Sequence, residues 1–114
     1  MSRFQWDPAK DRENLRKHGV RFETASLAFE DPCILSRKDL SHDDAEVRYN
    51  ALGEIAPGVV LFLVYTVREM DGEEIIRLIS ARCASAQEKR SYEEARRCAE
   101  TGNRHPRRQD RRYD

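Results

Sequence analysis

The chain has 114 residues, of which 37% are charged and 39% hydrophobic, and its 21 basic side chains balance 21 acidic ones. This length predicts a single domain and excludes a multidomain enzyme. The longest apolar stretch, residues 59–67, is about half of the ~20 residues that a membrane-spanning helix needs. The start of the chain has no apolar signal segment, and the three cysteines form no CxxC pair. We therefore expect a cytoplasmic protein that does not bind a membrane and has neither a disulfide framework nor a structural zinc site.

Two helices are predicted near the start of the chain, after a short strand or anchoring segment at residues 4–6. Asp7 followed by Pro8 provides an N-cap and a proline in the first helical turn, and Gly19 is a typical residue after a helix end. We expect the first helix to run from Pro8 to residue 17 or 18. The spacing of apolar side chains predicts a second helix over residues 22–30, with one side facing the core.

Strands are predicted in the middle of the chain, over residues 33–36, 45–52, 59–68 and 74–82. The third strand is apolar on both faces, which is typical of a central strand covered by helix on at least one side. Asp71-Gly72 predicts a hairpin between the last two strands. A helix from residue 85 or 86 to about residue 100 follows. The expected fold class is α+β, with two N-terminal helices, a mainly antiparallel four-stranded sheet and a C-terminal helix.

The formal charge is distributed unevenly along the chain. Residues 101–114 contain five arginines and two aspartates, so they carry +3 and residues 1–100 carry −3. Tyr113 is the only large apolar side chain in this segment, and we expect a flexible tail because so little surface can be buried. The predicted organisation is one domain over residues 1–100 and a basic tail over residues 101–114. Such a tail is either a solvated terminus or a polyanion-binding segment.

The register of the predicted hairpin decides which arginines share a face of the sheet. A two-residue turn at Asp71-Gly72 puts Arg68 and Arg77 on one face and Arg82 on the other. A turn one residue longer puts Arg68, Ser80 and Arg82 together, because side chains alternate along a strand. Either register brings two arginines from adjacent strands together, and the sequence leaves both open.

The first helix has a polar stripe. At about 100° per residue, one side of the helix collects Lys10, Asn14, Lys17 and His18. These side chains offer hydrogen-bond donors to an anion. Lys17 and His18 also suit the end of a helix, where the helix dipole favours cations.

The ordered motifs along residues 4–97 resemble those of the BrnT toxins. They comprise Trp6-Asp7-Pro8, Lys10, Asn14, Lys17-His18-Gly19-Val20, Phe22 and Ala25, then Glu46 and Arg48, Thr66 and Arg68, Ile76-Arg77, Ile79 to Arg82, Ala84, Glu88 and Tyr92. The resemblance implies a RelE-like fold and a type II toxin–antitoxin toxin that cleaves RNA and arrests translation. It also implies a DNA-binding BrnA antitoxin, encoded beside the toxin, that neutralises it and carries it to operator DNA in a repressing complex.

RNA can be cleaved without a metal or another cofactor when the 2′-hydroxyl attacks the adjacent phosphorus. The reaction needs a base, an acid and cations for the phosphorane oxygens. An unperturbed imidazole changes charge near neutral pH, so His18 suits acid or base work, and Glu46 is an alternative base. The catalytic candidates are Lys17, His18, Glu46, Arg68, Arg82 and Tyr92, and the candidate RNA contacts are Lys10, Asn14, Arg48 and Arg77.

Two other classes of protein remain open. The segment Ser41-His42-Asp43-Asp44, followed by Glu46, contains metal-ligand residue types that a metal-dependent hydrolase would use. Adjacent residues of an extended segment point in opposite directions, so they rarely bind one ion. The third hypothesis is a non-catalytic module that binds nucleic acid or protein. RNA cleavage in excess EDTA would exclude the hydrolase, and loss of growth inhibition in a folded His18→Ala or Arg82→Ala variant would separate enzyme from module.

Overall fold

The computed structural model of the chain describes residues 3–39 and 47–100, with side chains described as far as residue 98. The elements in chain order are β1 (Arg3–Gln5), α1 (Pro8–His18), α2 (Phe22–Ala25) with a following 3-10 helix (Ser26–Glu30), β2 (Leu35–Asp39), β3 (Arg48–Ala56), β4 (Val59–Met70), β5 (Glu73–Cys83) and α3 (Ala86–Glu100). No helix within the described ranges is long and apolar enough to cross a membrane.

The sheet has five strands in the order β1-β5-β4-β3-β2. The prediction of an α+β fold is confirmed, but the prediction of four mainly antiparallel strands is wrong in detail. β1 adds a fifth strand that runs parallel to β5, with Phe4 opposite Ile76. The other three pairs are antiparallel. The predicted second helix is α-helical only as far as Ala25 and continues as a 3-10 helix to Glu30.

Both faces of the sheet carry a hydrophobic core. On one face, Phe22 and Ala25 of α2 belong to the same hydrophobic cluster as Leu61 and Leu63 of β4. On the other, α3 contributes Tyr92 to a smaller cluster that also contains Leu35, Leu52 and Val60. This double cover explains why β4 is apolar on both sides along most of its length.

Local capping defines α1 as the sequence predicts. The Asp7 carboxylate accepts a hydrogen bond of 2.9 Å from the backbone N–H of Ala9, and the N–H of Gly19 donates to the carbonyl of Leu15 at 2.9 Å. Beyond Gly19 the chain turns, and the backbone N–H of Phe22 donates to the Asp11 carboxylate at 2.8 Å. These contacts fix the orientation of α1 relative to α2.

Candidate active site

A β-bulge in β5 determines which side chains share a face of the sheet. The turn at Asp71-Gly72 has two residues, at φ 54° and 77°, as a tight hairpin turn requires. Further along the hairpin the register shifts: Tyr65 lies opposite Leu78, whereas Val64 lies opposite Ser80. Ile79 is therefore an additional residue in β5, and side chains beyond it face the opposite way from where regular pairing would put them.

The bulge combines the two alternative registers. The two-residue turn places Arg68 and Arg77 on one face, as predicted for that turn. Arg82, however, lies opposite Phe62 and not opposite Leu61, so the prediction that this turn sends Arg82 to the other face is wrong. Arg68, Arg77 and Arg82 therefore all face the same side of the sheet.

This side of the sheet carries five arginines, and we call their surface the arginine face. Its members are Arg37 of β2, Arg48 of β3, Arg68 of β4, and Arg77 and Arg82 of β5. It is the side on which α3 packs, and α3 covers its apolar part around Leu52.

The pairing of the strands determines which polar residues are neighbours on the arginine face. Arg48 lies opposite Thr66, and Thr66 lies opposite Arg77. Arg48 and Arg77 thus flank Thr66, and two strand spacings separate their backbones by about 10 Å. Two guanidinium groups on such long side chains can reach a single phosphate between them.

Glu88 of α3 holds the guanidinium of Arg82. Nη1 and Nη2 of Arg82 donate to Oε1 and Oε2 of Glu88 at 2.9 and 3.0 Å. The guanidinium carbon also lies 4.2 Å from the centre of the Phe62 ring. Hydrogen bonds from Arg82 hold the pKa of the Glu88 carboxyl below its usual value. The ion pair therefore fixes Arg82 at the border between the arginine face and α3.

The Glu88 carboxylate also caps the first turn of α3. Glu88 accepts a hydrogen bond of 2.8 Å from the backbone N–H of Ser85, and the Ser85 hydroxyl accepts one of 3.1 Å from the N–H of Glu88. This reciprocal pattern is a capping box. The first turn of α3 and the position of Arg82 are consequently coupled through one side chain.

Two buried polar atoms on the arginine face have no hydrogen-bond partner within the described part of the chain. They are Oγ1 of Thr66 and Oδ1 of Asn50. Thr66 is 0% exposed. An unsatisfied buried polar group costs about 1–3 kcal/mol, so two of them close together are an expensive feature of a small fold.

The polar stripe of α1 divides into a structural residue and a set of exposed cations. Asn14 is buried, and its Nδ2 donates to the carbonyls of Val20 and Ala81 at 2.9 and 2.7 Å. Its Oδ1 accepts a hydrogen bond of 3.1 Å from the N–H of Ala81. Because these bonds occupy both amide hydrogens, the geometry assigns Asn14 to holding α1 on β5 and not to contacting RNA.

The cations of the stripe lie on α1, which Asn14 holds against Ala81 at the edge of β5. Lys10, Lys17 and His18 are exposed on α1, and Nζ of Lys17 lies 3.4 Å from the Glu13 carboxylate. They flank the junction between Asn14 and Ala81, at the edge of β5 beyond its pairing with β1. They therefore form a second basic surface beside the segment of β5 that carries Arg82.

Tyr92 lies in the hydrophobic core beneath α3. It is 0% exposed, and its hydroxyl donates to Oδ2 of Asp31. Asp31 also accepts hydrogen bonds of 2.8 Å from the N–H groups of Cys33 and Glu54. Burial, followed by the Asp31 carboxylate, raises the pKa of the Tyr92 phenol well above its usual value. In this structure Tyr92 therefore packs in the core, with its hydroxyl held by Asp31.

Some sequence predictions lie outside the described residues. These are Glu46, the acidic and histidine-containing segment at residues 41–44, and the basic tail at residues 101–114. Among the described residues, no three His, Cys, Asp or Glu side chains are placed together to hold a metal ion.

The fold and the site define a small α+β protein whose sheet carries five arginines on one face. Residues 6–88 match the sequence profile of the family described as "Ribonuclease toxin, BrnT, of type II toxin-antitoxin system". The chain belongs to this BrnT family, as the resemblance in its motifs predicts. Membership of a type II system implies an antitoxin partner.

A solved structure has the same fold. It is the 1.1 Å crystal structure of the Brucella abortus ribonuclease toxin BrnT, with 23% sequence identity and a TM-score of 0.51. The similarity covers 75% of this chain and 97% of that chain. None of the curated protein sequences compared with the chain matches it.

Proposed function

We propose that this chain is a metal-independent endoribonuclease that inhibits translation. The observation that carries the proposal is the β-bulge at Ile79, which gathers Arg68, Arg77 and Arg82 on the face that also holds Arg48. A sheet face with several guanidinium groups suits a substrate that gains negative charge at phosphorus as it reacts. Membership of a ribonuclease toxin family gives the substrate class.

In the proposed reaction the ribose 2′-oxygen attacks the adjacent phosphorus, and the bond from phosphorus to the 5′-oxygen breaks. The products are a 2′,3′-cyclic phosphate and a free 5′-hydroxyl. A base removes the proton of the 2′-hydroxyl, and an acid donates a proton to the leaving 5′-oxygen. Arg48 and Arg77 stabilise the charge on the phosphorane oxygens through paired N–H donors. Arg82, whose Nη1 and Nη2 already donate to Glu88, contributes through its remaining N–H groups.

His18 and Glu46 are the proposed proton carriers. His18 is exposed on α1, and Asn14 fastens this helix to Ala81, which immediately precedes Arg82. Glu46 precedes Arg48 by two residues in the sequence. Lys10 and Lys17 extend the positive surface along α1, where phosphates flanking the scissile group would bind.

The proposed antitoxin is of the BrnA type and covers the arginine face with an acidic or helical segment. Covering the anion site blocks RNA binding directly, and the matching charges favour rapid association. In this proposal the chain reaches operator DNA only within the antitoxin complex. The protein acts in the cytoplasm with a RelE-like toxin fold.

The test is RNA cleavage by the purified chain in excess EDTA, with separate Arg68→Ala, Arg77→Ala and Arg82→Ala variants. Loss of one preorganised donor at a reacting oxyanion costs about 10²–10³ in rate, so we expect falls of this size in the variants. Arg12→Ala is the matched control, because Arg12 is exposed on the side of α1 away from Asn14.

Different outcomes separate the competing functions. Cleavage that EDTA abolishes would contradict metal independence. Variants that cleave as well as Arg12→Ala would remove the arginine face from the reaction. RNA binding by the arginine face without any cleavage would favour the non-catalytic module.

A further inference from the structure

Thr66 lies at the centre of the arginine face. Its direct cross-strand neighbours are Arg48 and Arg77, and Arg68 follows two residues later on the same strand and the same face. Every substrate group that Arg48 and Arg77 hold between them therefore lies above Thr66. No other residue of β4 is flanked by arginines on both sides in register.

Packing alone does not explain a threonine here. Val60 and Val64 occupy the preceding positions of β4 on this face, with Phe62 between them. Valine has nearly the shape of threonine and an equally high preference for strands. A valine at position 66 would fill the same space without burying a hydroxyl, so the hydroxyl itself needs an explanation.

The hydroxyl lacks a partner in the described part of the chain. Thr66 is 0% exposed, and its Oγ1 neither donates nor accepts a hydrogen bond there. The orphan Oδ1 of Asn50 belongs to the adjacent cross-strand row, because Asn50 lies opposite Val64. Two unsatisfied polar atoms thus lie together among the arginines, where a bound ligand would supply the missing partners.

We propose that Thr66 is a substrate-binding residue whose hydroxyl donates a hydrogen bond to the RNA phosphate that Arg48 and Arg77 hold. This inference rests on the proposed ribonuclease function. Phosphate oxygens only accept hydrogen bonds, so they match a hydroxyl donor and two guanidinium groups. The arginine side chains are long and flexible, and they turn outward to grip the phosphate. The proposed hydrogen bond requires that Oγ1, which is buried in this structure, becomes accessible to a phosphate oxygen when the substrate binds.

The test compares Thr66→Val with the wild-type chain in RNA binding and in unfolding by urea. The ligand is an oligonucleotide in which deoxyribose replaces every ribose, so it keeps the phosphates but lacks the 2′-hydroxyl that cleavage requires. Loss of a hydrogen bond to a charged acceptor weakens binding about 10- to 100-fold. The urea midpoint should stay the same or rise, since valine removes an unsatisfied buried hydroxyl. A residue with only a structural role would not lose binding while keeping or gaining stability.

Two further variants control this test. Thr66→Ser keeps the hydroxyl and should retain most of the binding that Thr66→Val loses. Thr24→Val makes the same chemical change at an exposed position of α2 and should alter neither binding nor stability.

Each remaining outcome overturns a defined claim. If Thr66→Val binds like the wild type while Arg77→Ala binds weakly, Thr66 is not a ligand and the proposed function stands. If Thr66→Val lowers the urea midpoint, its hydroxyl has a partner within the fold and the inference fails. If the wild-type chain neither binds nor cleaves RNA, the proposed function is wrong, and this inference, which rests on it, is wrong as well.

Discussion

The guanidinium of Arg82 and the carboxylate of Glu88 form a two-point ion pair, with N···O distances of 2.9 and 3.0 Å. Glu88 also caps the first turn of α3 through the backbone of Ser85. One carboxylate thus connects an arginine of the candidate site to the helix that covers the apolar part of the same sheet face. Placement of Arg82 and formation of α3 are therefore expected to respond together to changes at Glu88.

We expect Glu88→Gln to lower the free energy of unfolding by about 1 kcal/mol at neutral pH, since the pair is partly exposed and screened by water. The pKa of Glu88 is lowered in the fold from its usual 4.5, so the pair stabilises the fold fully above that pH. Its contribution is lost as the pH falls below 4.5 and through the folded pKa. Urea unfolding of both proteins across this acid range measures the difference.

The matched control for this prediction is Glu13→Gln. Glu13 pairs with Arg16 at 2.6 Å on the exposed side of α1. Its substitution should cost less than Glu88→Gln. A difference between the wild type and Glu88→Gln that persists unchanged in acid would show that charge is not its cause.

Asn14→Ala should lower the free energy of unfolding by about 2–4 kcal/mol, because it leaves three backbone groups of Val20 and Ala81 without their partners. Alanine has the higher helix propensity, so the helix itself would gain and the loss must come from these contacts. Urea unfolding checks the prediction, with Arg12→Ala on the exposed surface of α1 as the control. Equal stability of the two variants would remove Asn14 as the link between α1 and β5.

Tyr92→Phe should lower the free energy of unfolding by about 1–2 kcal/mol, because the Asp31 carboxylate loses its hydroxyl donor. The ring keeps its place in the core, so we expect the rate of RNA cleavage to stay close to that of the wild type. Cleavage assays below the unfolding transition test this. If the folded variant cleaved RNA slower by about two orders of magnitude, the loss expected for a general acid or base, Tyr92 would be restored as a catalytic group.

Deletion of residues 102–114 should leave the cooperative unfolding of the remaining chain intact. The deletion removes five arginines and two aspartates, so affinity for RNA should fall by a modest factor and depend less steeply on salt. Urea unfolding and RNA binding at several salt concentrations measure both effects. Loss of a cooperative transition would show that the segment contributes to the core.

Elements with local signals could be predicted from the sequence. Asp7-Pro8 and Gly19 mark the ends of α1, and Asp71-Gly72 marks the hairpin, because caps and turns depend on a few adjacent residues. β1 could not be assigned in the same way, since three residues show no reliable alternation. Its parallel pairing with β5 depends on contacts far away in the sequence.

The bulge at Ile79 could not be predicted from the sequence for a similar reason. Ile79 continues an apolar run, and only pairing against β4 reveals it as an additional residue. Arg37 was missed because the predicted strand ended at residue 36. Residues 36–39 are all polar, so no alternation of apolar and polar side chains marks the continuation of this strand to Asp39.

Helical periodicity grouped Asn14 with the lysines but could not distinguish its role. The amide faces a stretch of β5 edge that β1 leaves unpaired, and nothing near Asn14 in the sequence indicates this. The burial of Tyr92 could not be predicted from nearby residues either. Its partner Asp31 lies 61 residues away in the chain, so neither its burial nor its hydrogen bond has a local signature.

The central claim is that the arginine face binds RNA, and arginine side-chain NMR tests it most directly. The Nε–H signals are followed while an uncleavable oligonucleotide is added, with single substitutions assigning each signal. The account predicts shifts concentrated on Arg37, Arg48, Arg68, Arg77 and Arg82, with Arg12 and Arg16 unaffected. Shifts confined to α1 or to the segment after residue 100, with the arginine face unchanged, would contradict it.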